Sequence, residues 1–503
     1  MRRRSSACVL AALGLLPLAH RQLLAQGYRL RLDTQAQSVA YRGVRQDSVR
    51  FADVVIAPTG GYQTTDGFFV HCESTTAPYC FFFRPGENQQ GGPLVSSADL
   101  TLWGLGINGL SVRVNGRAGV DLGTSDVWPG TDPAVQLLEA YAEYALPSVT
   151  ARVGRQLITN RLGIVGVDGG RAVVRFPKVG VDAEGYVGWG MGRATALPVS
   201  SSVLNPLDDF QPRVRQIVAG AAVEWAARYG NLRLDYQREV ERESRQFGSE
   251  RASLSGELRA FTNWSLVAGA DYDLANTWFG NADVSLRYTS RLVTALVGAR
   301  QYRPHFDLWT IWGAFSPVPY HAINGSVWVR PLKGLELRGR GERYAYSPTE
   351  TETPLVDVDD DGWRLGVGAT LTAGKIWTFD AGYREEYGPG ASSHGFEGSV
   401  SAMPTAELSL TAYGATLDRP LEFRFEEAGA DVIGLDADWR AAPAVRVFLG
   451  GSLYHEDRRR PDVSGFDWNQ TRLHGGVTLF LGSGADRTPL PRALRTRPPS
   501  GTR

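Results

Sequence analysis

Long apolar runs are missing from this chain once its N-terminus is passed. Nothing after residue 25 reaches the roughly 18 consecutive apolar residues that a membrane-spanning helix needs, so a helical membrane protein is excluded. Net charge is missing too: 53 basic residues balance 53 acidic ones, which leaves no overall field to gather nucleic acid. Cysteine is scarce, at three in 503 residues, too few for zinc or thiol chemistry. Lysine is confined to Lys178, Lys333 and Lys375. Histidines past residue 25 stand at scattered places (His71, His305, His321, His394, His455, His474), and none has an acidic or hydroxyl partner at a spacing that suggests catalysis. No catalytic residue is assigned, and the chain is not expected to be an enzyme.

What is present begins with Arg2, Arg3 and Arg4 ahead of an apolar run from Ala7 to Ala19 and a small-residue site near Ala25. That is the layout of a signal peptide over residues 1–25, removed on export. Cys8 lies at the start of the apolar run and not after it, which argues against a lipid anchor. Cys72 and Cys80 survive export, close together and in an oxidising compartment, and are expected to form one local disulfide.

From there on the dominant signal has period two. Between Leu110 and Leu122 one face reads Leu, Val, Val, Gly, Ala, Val, Leu and the other reads Ser, Arg, Asn, Arg, Gly, Asp. That is a strand with one apolar and one polar side. The division recurs over 251–260 and 335–342 and, more weakly, through most of the remaining chain. The connections alternate in length. Short ones at 107–109, 146–148, 177–180, 228–231, 261–263, 331–334, 373–375, 404–406 and 441–443 are separated by longer ones such as 123–133, 192–211, 303–320, 346–361, 417–428 and 456–468.

Short turns at one end and long loops at the other describe an all-β, antiparallel, up-and-down transmembrane barrel of about 22 strands (range about 18–24), with periplasmic turns and extracellular loops. The first strand is expected over 28–41, with a long first loop over 44–99 and the barrel over 26–482. Trp225, Trp264, Trp377 and Trp439 stand beside short turns on the apolar parity, where an interfacial aromatic belt belongs.

The segment Ala151-Arg152-Val153-Gly154-Arg155-Gln156, followed by Leu162-Gly163 and Asp168-Gly169, resembles a strand–loop–strand unit of porin-like and alginate-export-like channels of Gram-negative outer membranes. The resemblance implies passive or facilitated transport in the outer membrane. It also implies as partners outer-membrane lipid and lipopolysaccharide, the barrel-assembly machinery and a small polar solute; a homo-oligomer is compatible with it. The chain departs from that pattern at its end. The last strand, with Phe480, is followed by a Pro- and Arg-rich stretch over 483–503, read as a disordered periplasmic tail.

If the apolar parity faces lipid, the charges of the polar parity line the pore. These are Arg113, Arg117, Arg152, Arg171, Arg175, Asp182, Glu184, Arg233, Asp235, Arg251, Glu257, Asp271, Asp273, Arg338, Arg340, Asp380 and Arg384. Both signs occur, so no ion preference follows. The first loop, rich in Phe and Tyr, is expected to fold into or over the lumen. The loop over 303–321 carries Trp309, Trp312, Phe315 and Tyr320, stacking platforms for a polar solute with apolar faces such as a saccharide. Asp357, Asp359 and Asp361 reproduce the first half of a calcium loop, a site for weakly held calcium; no other cofactor is expected. The functional expectation is a pore for small polar solutes. Its alternatives are a structural or adhesive barrel without transport and an outer-membrane enzyme.

Overall fold

The structure, a computed structural model, describes residues 27–56, 61–72, 78–123, 135–191, 216–240, 247–303, 319–347, 361–388, 391–421, 427–459 and 468–483. Alternation of side chains commits each segment to a strand, and each strand pairs antiparallel with the next. In chain order they are β1 (Gly27–Arg50), β2 (Tyr79–Gly91, continuing as Pro93–Trp103), β3 (Leu110–Asp121), β4 (Val135–Ala145), β5 (Val149–Asn160) and β6 (Gly163–Phe176). There follow β7 (Val181–Gly190), β8 (Ile217–Ala227), β9 (Gly230–Val240), β10 (Phe247–Phe261), β11 (Trp264–Asp273) and β12 (Trp278–Thr289). Next come β13 (Val293–Tyr302), β14 (Tyr320–Leu332), β15 (Leu335–Tyr346), β16 (Asp361–Ala373) and β17 (Trp377–Gly388). The last are β18 (Ala391–Ala402), β19 (Leu408–Leu421), β20 (Glu427–Ala442), β21 (Val445–Arg459) and β22 (Trp468–Gly482). β1 pairs with β22 from Arg29↔Gly482 to Ala40↔Thr471, which closes a barrel of 22 strands with no free edge through the wall.

Burial is inverted relative to a water-soluble protein. Ile433 and Leu435 are 65% and 60% exposed, whereas Asp235 is 1% and Arg251 5% exposed. Apolar side chains point outward because a hydrocarbon solvent favours them there, and closure lets neighbouring strands satisfy one another's backbone groups without water. Trp225, Trp264, Trp377 and Trp439 all lie on the outward face beside the short turns. The short connections expected from sequence fall together at one end. At the other end three are also short: 161–162, 274–277 and 389–390.

The first loop is where expectation and structure part. Residues 44–50 lengthen β1, and 79–99 belong to β2, so the connection is 51–78 and not 44–99. The two strands continue past the wall as a ribbon, from Val39↔Gly91 to Arg50↔Tyr79. Two strands alone are marginal in water, and this pair is supported by its own connection. His71 and Phe81 exchange both backbone hydrogen bonds at 2.8 and 2.9 Å, Phe68 packs on Phe82 with ring centroids 5.7 Å apart, and Cys72 is bonded to Cys80. Part of the aromatic content that suggested a plug is thus spent on the ribbon. Replacing both cysteines by serine is expected to cost the ribbon about 2 kcal/mol by freeing the short loop they close. Limited proteolysis should then cut within 51–78 faster while the barrel itself stays intact.

Candidate functional site: the constricted lumen

The lumen is narrowed by the hairpin of β5 and β6. Pairing of β5 with β4 ends at Arg155↔Ala140, while β5 and β6 stay paired to Asn160↔Gly163 and β6 stays on β7 to Val167↔Gly190, so the hairpin parts from β4 alone and can curl inward with β7. Glycine permits the parting from β4 at one place and a close strand approach at another. Gly154 has φ +129°, and a Cβ there would lie 2.3 Å from the Ala140 carbonyl oxygen. At Gly169 a Cβ would meet the Val187 carbonyl oxygen at 2.1 Å, so β6 and β7 approach more closely than any other residue allows.

Beyond this crease the hairpin lies against the inner faces of the strands that follow. Ile158 and Val167 of the hairpin form a buried cluster with Tyr186 of β7 and Val218 of β8, with Val165 packed beside it. An apolar patch on a wet inner wall would be costly; here each half covers the other. At the tip, Arg161 Nη2 donates to Asp283 Oδ1 at 2.5 Å, and its Nε lies 3.8 Å from Asp271 Oδ1. Arg251 Nη1 donates to the Leu162 carbonyl at 2.9 Å. The tip of β5–β6 therefore rests on β10, β11 and β12, across the inner faces of the strands between. Within the hairpin Arg155 grips Asp168 at 2.7 Å, and its Nη1 donates to the Leu137 carbonyl at 3.0 Å.

The hairpin divides the candidate pore-lining residues. Asp235, Arg251, Asp271 and Asp273 are buried. Arg233 pairs with Asp235 at 2.8 Å, Glu224 at 3.2 Å and Glu184 at 3.3 Å, and Arg171 pairs with Glu184 at 2.8 Å. Nearer the short turns, Arg152 meets Glu143 at 2.5 Å, Arg175 lies 3.8 Å from Asp182, and Glu257 is held by Arg259 at 3.0 Å. On strands away from the hairpin tip, Arg113 meets Asp99 at 2.9 Å and Glu139 at 3.5 Å, and Arg338 holds Asp380 at 2.6 Å. Arg340 and Arg384 are exposed, and no acidic partner is found for either among the described residues. A terminal nitrogen of Arg117 is buried without a hydrogen-bond partner. Most of these charges thus have local partners, as cross-strand neighbours of opposite sign tend to.

At the long-loop end, the inner face of β13–β17 carries a group the alternation pattern alone did not single out. Tyr320 lies 5.4 Å from Tyr302, 5.9 Å from Tyr344 and 5.7 Å from Tyr346, ring centroid to ring centroid. Glu342 bridges Arg300 at 2.7 Å and Arg364 at 2.8 Å, and Arg364 also holds Glu386 at 2.8 Å while its guanidinium sits 4.5 Å above the Tyr344 ring. Of the expected stacking residues only Tyr320 can be placed; Trp309, Trp312 and Phe315 lie outside the described residues. Asp357 and Asp359 lie outside them as well, and Asp361 opens β16 with Arg343 at 2.8 Å. Residues 1–25, expected to be a signal peptide, and those beyond Ser483, expected to be a tail, are likewise outside. Sequence reasoning missed Arg161, Asp283, Arg300, Arg364 and Glu386. The last four sit on the polar parity and could have been read from it, whereas Arg161 is in a turn, and only the inward fold gives it a role.

A closed 22-stranded barrel with an apolar outer face, tryptophans beside its short turns and an inward-folded hairpin defines a transmembrane β-barrel of the outer-membrane type. No family model matches the chain, and no curated protein matches it. Among solved structures it is similar to OccAB4 of Acinetobacter baumannii, with 9% identity, 91% of this chain and 99% of that one covered, and a TM-score of 0.41. It is similar also to a BenF-like porin from Pseudomonas fluorescens Pf-5, with 10% identity, 91% and 100% covered, and a TM-score of 0.41. OprD from Pseudomonas aeruginosa matches with 8% identity, 92% and 95% covered, and a TM-score of 0.39.

Proposed function

We propose that this chain is an outer-membrane channel for small polar solutes, saccharides among them. One observation carries the reading: the hairpin covers the inner face of one run of strands and leaves a charged, hydrogen-bonding wall on the remainder. A barrel that served only as an anchor has no need of such a wall, because a polar inner face must be kept wet or paired. Purified protein in a planar bilayer should give discrete conductance steps. Liposomes carrying it should swell in solutes graded by size, small ones faster. Absence of both in assembled barrels would overturn the reading.

The saccharide part rests on Tyr320 and its neighbours. Phenol rings offer apolar faces for sugar C–H groups, while Arg300, Arg364 and Glu342 beside them supply hydrogen bonds to hydroxyls. Trp309, Trp312 and Phe315 follow β13 in the connection to the same tyrosines and would complete the platform. Tyr320→Ala, like Trp309→Ala combined with Trp312→Ala, is expected to weaken block of single-channel current by a malto-oligosaccharide about tenfold, as loss of one good aromatic contact does. Equal block in variants of unchanged thermal stability would remove these rings from any recognition role.

A further inference from the structure

The closing seam of the barrel carries a second group of side chains that the channel reading does not use. On the inner face of β20–β22 and β1 lies a cleft of about 490 Å3, bordered by Arg31, Asp33, Asp436, Asp438, Arg446 and Phe448, with His474 among them. Its shape comes from a glycine. Asp436 pairs with Gly450, and Gly450 pairs with His474, so two side chains separated by a whole strand meet above a residue that has none. His474 Nε2 lies 3.1 Å from Asp436 Oδ1, and a Cβ on Gly450 would stand 1.9 Å from that same oxygen.

The charges in the cleft do not cancel. Arg31 answers Asp33 at 2.7 Å, and Asp33 also accepts from Thr478 at 2.6 Å. Arg446 Nε answers Asp438 at 2.9 Å. Among the described residues the charge partner of Asp436 is His474, a base that is positive only when protonated, and Asp436 Oδ1 is buried with no hydrogen bond completed to it. Three carboxylates thus stand against two guanidiniums, and the third, Asp436, borders the same cleft as Phe448, whose ring is 6.2 Å from that of His474. A carboxylate without a cation beside an aromatic face is the pairing that recognises an ammonium group. The charge is met by the carboxylate, and the adjoining C–H groups by the ring.

We infer that this seam cleft is a subsite for the primary ammonium group of a small organic solute, with Asp436 as its counter-ion and Phe448 as its platform. It rests on the channel reading only in taking this wall to be open to solvent. An amine bound here replaces the cation that Asp436 lacks, whereas a carboxylate would meet the unmatched charge and be turned away. The arrangement gives the lumen two different stations: tyrosines at the long-loop mouth and an anionic niche at the seam.

Equilibrium binding to the detergent-solubilised full-length barrel tests this without requiring conductance, so its failure is distinct from failure of the channel reading. The probe is phenethylammonium, followed by calorimetry, with phenylpropionate as the counterpart of opposite charge. Wild-type protein and Asp53→Asn, which removes a carboxylate far from the seam, should bind the amine equally. Asp436→Asn should weaken it about tenfold, the loss expected for one close charge in partly solvated surroundings. Phe448→Leu should weaken it about threefold, as loss of a cation–π contact does, and it carries the decision if Asp436→Asn does not assemble. No binding by wild type, equal binding by both seam variants, or phenylpropionate binding as tightly as the amine would each overturn the assignment.

Discussion

Replacing residues 157–166 with Asn-Gly, so that a two-residue turn joins Gln156 to Val167, is expected to raise single-channel conductance at least about twofold, because it removes the constriction and leaves the wall. Gln156 and Val167 are partners in the β5–β6 register, so the shortened hairpin can close without disturbing the strands below it. What disappears is the part that crosses the lumen: Ile158 from the apolar cluster, and Arg161 and Leu162 from their contacts with β10–β12. A milder version is Arg161→Ala, which leaves Asp271 and Asp283 without that cation but keeps the hairpin's apolar contact. It should give a noisier current with only a modest rise in the mean. Conductance unchanged by the deletion, in protein that still resists unfolding by detergent and heat as wild type does, would show that the hairpin is not the narrow point.

Leu254→Arg is expected to destabilise the assembled barrel by about 2–4 kcal/mol, the cost of a guanidinium near the middle of the hydrocarbon layer. Ser255→Arg, one residue on, should cost less than about 1 kcal/mol, because the same group would then stand in the lumen. The two positions are adjacent on β10 and differ only in the face they occupy. Leu254 is half exposed and pairs across with Leu234, while Ser255 pairs with Arg233 on the inner side. Reversible unfolding by urea in lipid vesicles measures both. Equal costs would mean that the apolar face does not meet lipid.

The legibility of the wall in the sequence has a simple cause. A strand alternates with period two, and a barrel in a membrane has one solvent on each face, so each strand prints both solvents on its own sequence. Leu110–Asp121 could be assigned to β3 and its arginines to the inner face without any other part of the chain. Arg113 and Arg338 were found in this way, and so were the short turns, because each turn needs only its local residues. The ribbon was not. Residues 79–91 include Pro85, Gly86 and two glutamines, a poor strand by local preference, and they are held extended by pairing with β1 and by the contacts of 61–72.

The constriction was legible only as a fragment. The residues from Ala151 to Gly169 stood out as a porin-like strand–loop–strand unit, but nothing in their alternation says that the hairpin leaves the wall. By itself, then, the sequence determined the class of fold, the even strand number, the outward and inward faces and the end at which the turns lie. All of these follow from preferences that act within one strand or between neighbours. Tertiary structure alone decided where the lumen narrows and which charges meet. Arg161 reaches Asp283 over 122 residues of chain, and Asp436 meets His474 across an intervening strand. Such encounters depend on the closure of the barrel and on the absence of a side chain at Gly154, Gly169 and Gly450. A period-two pattern records which way a residue points; it holds no information about what that residue finds on the far side.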